Sequence, residues 1–583
     1  MLIHKRKMAV GFVTAVAAAS LMLPLLVGGA SGASTRTSKA APITSLPRNE
    51  TLYTSGAAYT APTIWNPMDL GNFATGTEGL VYETLFLYNP VANSYVPWLA
   101  KSGTWTTPST YTIVLRNGVT WSNGKPLTCA DVAYTIMLAK LNPAVPYSNL
   151  GADLSGVSCT NATTAVVTFS TPAYTQWTSF LWHDPIINQS VWSQLSPAKQ
   201  VTGANTHPIG SGPMLFFAAN TQEVVYTVNP NWWAIKDLGL KFHFKYLVDI
   251  VNAANPVELG QLLEGNIDIS NNFLAGIGSL VSSPASTGVL NGTGGDGLLT
   301  YYATAPYMMS ANTVWLEPNT TKFPMSNLNF RKALAYAINP NQLASVIYDN
   351  IVKAANPVGL LPNLYPFIPS SMKSLEFSYN PAKAKAFLAA SGYKGTAVTI
   401  QDPVGWTDWN SATDLIVQEL KAVGINAVAY FPADAARNAN LTNGTYDLAL
   451  DNNAGPDSNP WSYFNRVFAL PINKQQTAQL NWERFSDPAA WALVQKVGTV
   501  VPTDTTALQG IYTQLEQIFL QNLPEIPLWY NGAWAQYNTT YWHDYPVSTD
   551  PTDQYTPVVW GGWLGNMTTV LGLAQIEPVV AAK

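Results

Sequence analysis

Charge is scarce in this chain. Lysine, arginine, aspartate and glutamate make up 11% of its 583 residues, against roughly 25% in an average soluble domain. The net charge is only -5, and no basic cluster lies beyond the N-terminus, which argues against nucleic acid as a partner. Asn, Thr, Ser and Gln are left to carry the solvated surface, a composition suited to an acidic external medium. Histidine stops at five scattered residues and cysteine at two; neither offers metal-ligand spacing, so no metal and no cofactor is expected. Enzyme motifs are also missing: there is no G-x-S-x-G, no H-E-x-x-H and no Walker lysine. Gly292, Gly294 and Gly297 match G-x-G-x-x-G, but inside a Gly/Thr/Ser-rich surface loop (282–297) that leads into strand-like LLTYYAT. A phosphate cradle needs a strand before and a helix after. No Asp/Glu pair has neighbours that would split two pKa values for acid/base work. The chain therefore reads as no enzyme, with a secreted hydrolase as the minor alternative.

Long apolar runs are rare as well. One, Met8 to Gly29, follows the positive HKRK and precedes the small residues GGASGAS. This is the pattern of a signal peptide over residues 1–33, with a retained membrane anchor as the alternative. No cysteine follows it, so an N-terminal lipidated Cys is excluded. Residues 34–48 read as a flexible leader, and the rest as exported and extracytoplasmic, in the periplasm or on the outer face of the cell membrane. In such a compartment Cys129 and Cys159 suggest one disulfide closing a loop of about 30 residues; two buried free thiols are the alternative.

What is abundant is apolar and aromatic: 47% of residues are hydrophobic, 12% aromatic, and 20 are Trp. Length alone allows two to four domains. YTIVLRNGVTW (111–121) reads as a hairpin around Asn117-Gly118, with Tyr111, Ile113 and Leu115 on one face. Thr128 with Asp131 forms an Asp version of a capping box, and the helix it opens runs to about Lys140. Strands are expected at 165–170 and 223–229. The middle of the chain alternates helix and strand: helices at 330–338, 380–393, about 412–422 and 508–522, strands at 397–401, in INAVAYF and in EIPLWYN.

Indoles gather with Asp and Asn after predicted strands, where ligand-facing loops lie in α/β folds. Trp406 and Trp409 lie in GWTDW, Trp461 follows Asp451, Asn452, Asn453 and Asp457 in LDNNAGPDSNPWSYF, and Trp65 follows the first strand. Core packing is the competing role for each Trp.

LRNGVTWSNGKPLTCADV (115–132) resembles the most recognisable block of the family 5 solute-binding proteins of ABC importers, which include oligopeptide- and dipeptide-binding proteins. GLVYETLFLYNPVANSYVPWLAKSGTW (79–105), GSGPMLF (210–216), EGNIDIS (264–270), FRKALAYAINPNQL (330–343), YNPAKAKAFLAASGY (379–393), ELKAVGINA (419–427) and LEQIFLQNLPEIPLWYN (515–531) extend the resemblance in order. It implies a periplasmic-binding-protein-like α/β fold: two lobes joined by two crossover segments, with an extra small subdomain on the first. The implied division is lobe I from 49–75, 201–305 and 526–583, the small subdomain at 76–200, and lobe II at 306–525. The implied function is capture of solute outside the membrane, by a monomer, for delivery to an ABC permease.

In peptide-binding members an Asp of the second lobe pairs with the ligand's ammonium group. Asp457 matches it, although its spacing to Pro460 is one residue shorter than the family's, and Asp451 is the second candidate. Capping of a turn at SNPW is the competing role for Asp457. GWTDW and YWHDYPVSTDP (541–551) are similar to branches that include cello-oligosaccharide binders, where Trp65, Trp406, Trp409 and Trp461 with Asn452 and Asn453 would build a stacking groove. Short peptides are therefore the first expectation and oligosaccharides the second.

Overall fold

The computed structural model describes residues 46–55, 63–69, 73–252, 254–282, 297–452, 455–476, 480–549, 555–560 and 562–579. The expected signal peptide, nearly all of the leader, Asn453, Gly292 and Gly294 lie outside them. All described residues belong to one compact unit, Pro42–Lys583. No helix among them is long and apolar enough to cross a membrane.

Two large mixed sheets form the two lobes of a periplasmic-binding-protein-like α/β fold. The first has seven strands, in the order Leu298–Thr300, Gln536–Asn538, Ile269–Ser270, Thr51–Ser55, Tyr246–Ile250, Glu223–Val228, Met214–Ala219. Thr51–Ser55 runs parallel to both its neighbours. The second has five, in the order Ala427–Tyr430, Val398–Gln401, Leu448–Asn452, Met309–Pro318, Ile526–Ala533. The chain passes between the sheets twice: from Thr300 to Met309, and through Trp534 and Ala535. The division drawn from the sequence cut the second lobe at 525. The strand Ile526–Ala533 is instead hydrogen-bonded along Met309–Pro318, so the crossing lies eight residues further on.

A third, four-stranded antiparallel sheet joins Ala100–Thr107, Thr110–Leu115, Thr164–Phe169 and Leu154–Asn161. Tyr111, Ile113 and Leu115 are buried, as their alternation predicts. The hairpin expected around Asn117-Gly118 does not form. Gly118 has the positive φ of 77° that the turn signal implies, but Thr110–Leu115 pairs with Ala100–Thr107 and Thr164–Phe169 instead. A turn signal fixes local backbone and says nothing about which strand wins the edge. Against this sheet packs the helix Cys129–Leu141, opened by the capping box: Thr128 N–H donates to Asp131 Oδ2 at 2.9 Å and Ala130 N–H to Thr128 Oγ1 at 3.3 Å. Cys129 and Cys159 are disulfide-bonded, with 5.8 Å between their Cα atoms.

Much of the indole content is structural. Glu83 is fully buried and accepts from the ring N–H of Trp98 and Trp232, both at 2.9 Å, of Trp233 at 3.2 Å, and from Ser211 Oγ at 2.8 Å. Burial pushes its carboxyl up to about 7, against the pull of those donors. Ser211 is delivered by two glycines that allow close approach. A Cβ at Gly210 would stand 1.9 Å from Val81 O, and one at Gly212 2.3 Å from Leu80 O.

Candidate functional site

Between the small subdomain and the second lobe lies a cavity of about 600 Å³. Tyr95, Trp105, Tyr111 and Thr175 line it from the subdomain; Phe367, Ser458, Asn459, Thr505 and Tyr512 face them from the lobe. None of its described lining residues is Asp, Glu, Lys, Arg or His. The wall combines aromatic rings and the aliphatic Leu181, Val500, Pro502 and Leu508 with hydroxyls and one amide. Trp105 is half-buried and held edge-on by Tyr111 and Tyr174, with centroids 5.2 and 4.7 Å away.

The two walls touch. Tyr95 Oη lies 2.7 Å from Ser458 Oγ, the helices Tyr174–His183 and Pro488–Thr499 are in contact, and at another point Asn255 Nδ2 donates to Thr407 Oγ1 at 3.3 Å. These contacts describe a closed arrangement of the lobes.

Behind Ser458 lies Asp457, only 4% exposed. Its Oδ1 accepts from Ser458 N–H at 2.6 Å and from Ser458 Oγ at 3.4 Å. Burial pushes its carboxyl up to about 6, opposed by hydrogen bonds from Ser458, Ser462 and Tyr95. No ion pair to Asp457 is found among the described residues. The turn-capping role falls to its neighbour: Asn459 Oδ1 accepts from Trp461 N–H at 3.0 Å and from Tyr512 Oη at 2.7 Å, an Asx turn that leads into the helix Trp461–Phe468.

Asp451 is placed differently from the sequence expectation. It is 6% exposed, and its two oxygens are taken by Arg437 Nη2 at 2.8 Å and Arg466 Nη2 at 2.7 Å. Its charge is neutralised inside the lobe, which removes it as a partner for a ligand's ammonium. Asn452 is half-buried at the end of the same strand.

The four tryptophans do not converge. Trp65 packs on Phe216 at 4.7 Å and donates to Tyr226 Oη at 3.0 Å within the first core. Trp409 is 2% exposed in a second core, edge-on to half-buried Trp406 at 4.9 Å and to Trp529 at 6.2 Å. Trp461 belongs to a third. GWTDW fails as a loop because the helix expected from about 412 starts at Thr407; Asp408 in its first turn suits the helix dipole and accepts from Tyr348 Oη at 3.0 Å. Of the residues that do line the cavity, Tyr95 and Trp105 lie in the stretch 79–105 that only carried the resemblance, Tyr512 lies in the expected helix 508–522, and Phe367 lies in a stretch with no sequence signal.

The sequence pattern of the bacterial extracellular solute-binding proteins, family 5 Middle, matches residues 94–474. A solved structure of a periplasmic oligopeptide-binding protein of an oligopeptide ABC transporter from Thermotoga maritima, with mannohexaose bound, is 33% identical, with a TM-score of 0.85 over 91% of this chain and 99% of that one. The probable ABC transporter periplasmic-binding protein SapA of Escherichia coli is 27% identical over 37% of this chain, which spans only 39% of that protein's length. The oligopeptide-binding protein OppA of Bacillus subtilis is 23% identical over 73% of this chain and 78% of its own. The fold, the two crossings and the matched span together make this chain a member of family 5 of the bacterial extracellular solute-binding proteins, which are transport binding proteins and not enzymes.

Proposed function

We propose that this chain binds neutral oligosaccharides between its lobes outside the cell membrane and hands them, as a monomer, to an ABC permease. The observation that carries this reading is the uncharged wall of the cavity. A sugar presents C–H faces to aromatic rings and hydroxyls to hydroxyls and amides, and asks for no counter-ion. A zwitterionic peptide entering the same space would bring charges that its walls do not meet, at a cost of several kcal/mol per desolvated ion. The mannohexaose held by the T. maritima relative supports the same class. Closure is a population shift, since the ligand touches both walls only when they meet. In this reading lobe I takes 49–75 and 201–305 with the C-terminal segment after Ala535, and the small subdomain at 76–200 supplies one wall of the cavity.

Short peptides remain a second reading because of one residue. Asp457 is a buried carboxylate with no ion pair among the described residues, and it sits behind Ser458, which lines the cavity. Calorimetric titration with mannohexaose and cellohexaose against tri- and tetrapeptides decides between the two. Heat from a hexasaccharide and none from peptides is the expected result; micromolar peptide binding with no response to either sugar rejects the proposal.

A further inference from the structure

We infer that Glu317, Glu483 and Glu525 form a buried calcium site in the second lobe. The site is independent of which solute the cavity takes. The three residues are far apart in sequence, and each is fully buried. Glu317 lies near the end of the strand Met309–Pro318, and Glu525 directly precedes the strand Ile526–Ala533. One carboxylate oxygen from each lies within 4.8 Å of the others. An ion with Ca–O distances of 2.3–2.6 Å can bridge oxygens up to about 5 Å apart, and three carboxylates binding through both oxygens would offer up to about six ligands.

The cluster is short of positive charge. Both oxygens of Glu483, both of Glu525 and Oε2 of Glu317 find no hydrogen-bond partner among the described residues. Glu317 Oε1 takes one, from Tyr446 Oη at 2.8 Å. Arg466 Nη2 approaches Glu317 at 3.6 Å but its hydrogen bond goes to Asp451 at 2.7 Å, its buried Nη1 has no hydrogen-bond partner among the described residues, and Arg437 Nη2 pairs with Asp451 too. Arg484 donates to the carbonyls of Leu441, Thr442 and Trp482. Four carboxylates thus share two guanidinium groups. Trp315 and Trp482, with ring centroids 5.7 and 4.8 Å from the Arg466 guanidinium, pack around the pair. Buried charges without partners are strongly destabilising. One divalent cation would balance the charge and give the orphan oxygens a partner. An all-oxygen donor set without His or Cys selects a hard ion, and the spacing admits calcium.

The purified full chain, passed through a desalting column after incubation with CaCl2, is expected to retain stoichiometric calcium by elemental analysis. Its melting temperature should rise with free Ca2+ and fall in EDTA, as mass action requires. Terbium emission excited through tryptophan should appear and be displaced by Ca2+. Glu525→Gln and Glu483→Gln should lose all three signals, and Glu577→Gln, at an exposed acid beside His543 and Asp544, should keep them. No retained calcium together with a melting temperature indifferent to Ca2+ and EDTA overturns the inference. So does a calcium response that Glu525→Gln preserves, or a Glu525→Gln protein that melts above the calcium-loaded parent, which would mean the carboxyls share protons instead. Should the Gln variants fail to fold, retention and displacement on the parent chain decide.

Discussion

Tyr95 Oη and Ser458 Oγ lie 2.7 Å apart and join the small subdomain to the second lobe. Ser458 Oγ also lies 3.4 Å from Asp457 Oδ1. Either hydroxyl can donate in that contact, and the buried Asp457 carboxylate beside it accepts from both residues.

Tyr95→Phe removes that contact and leaves the ring. Ligand affinity should weaken by about 0.5–1.5 kcal/mol, the net worth of one hydrogen bond, while the melting temperature of the ligand-free chain stays unchanged. Titration calorimetry on parent and variant reads the difference; equal affinities would show that the contact does not form in the complex.

Trp105→Ala and Asp457→Asn separate the two ligand classes. For a sugar, Trp105→Ala should cost on the order of 1–2 kcal/mol of apolar contact, and Asp457→Asn little. For a peptide the order reverses, with Asp457→Asn costing about 1.5–3 kcal/mol if the carboxylate meets the amine. A sugar affinity indifferent to Trp105→Ala would sink the assignment of this cavity.

Acid should stabilise the fold. Burial pushes Asp402 and Glu516 up to about 8, Glu83 up to about 7 and Asp457 up to about 6. Each holds its proton in the native state at pH values where the unfolded chain has released it. The stability they contribute is fully present below about pH 4, the unfolded carboxylate range, and is lost as pH rises through about 6 to 8. ΔG of unfolding therefore falls with rising pH across this window. Thermal melts at pH 5 and pH 8 check the sign; a higher melting temperature at pH 8 contradicts it.

Cys129→Ser with Cys159→Ser opens a loop closed by residues 30 apart. Chain entropy puts the loss at about 3–4 kcal/mol. Urea unfolding of the double variant should show it, and a loss below 1 kcal/mol would mean that the paired strands already restrict the loop when unfolded.

What the sequence made legible was local. The Thr128–Asp131 cap and the buried alternation of Tyr111, Ile113 and Leu115 both follow from chemistry within four residues. What stayed hidden was set by distant partners. Nothing near Asp451 announces Arg437 and Arg466, which reach it from two helices. Nothing near Trp65 or Trp105 says that the first fills a core while the second borders a cavity, because Phe216 and Tyr226 decide one and Tyr111 and Tyr174 the other. Tryptophan clustering read as a groove was the sum of three separate cores.

The two passages between the large sheets are bracketed by paired strands. Thr300 is in register with Gln536 on one side, and Met309 with Ala533 on the other. The two links are therefore tied to each other by strand pairing at both of their ends, and do not leave the sheets at separate points. The lobes should swing about one line and return in the same register each time, so a solute always meets the same opposing residues.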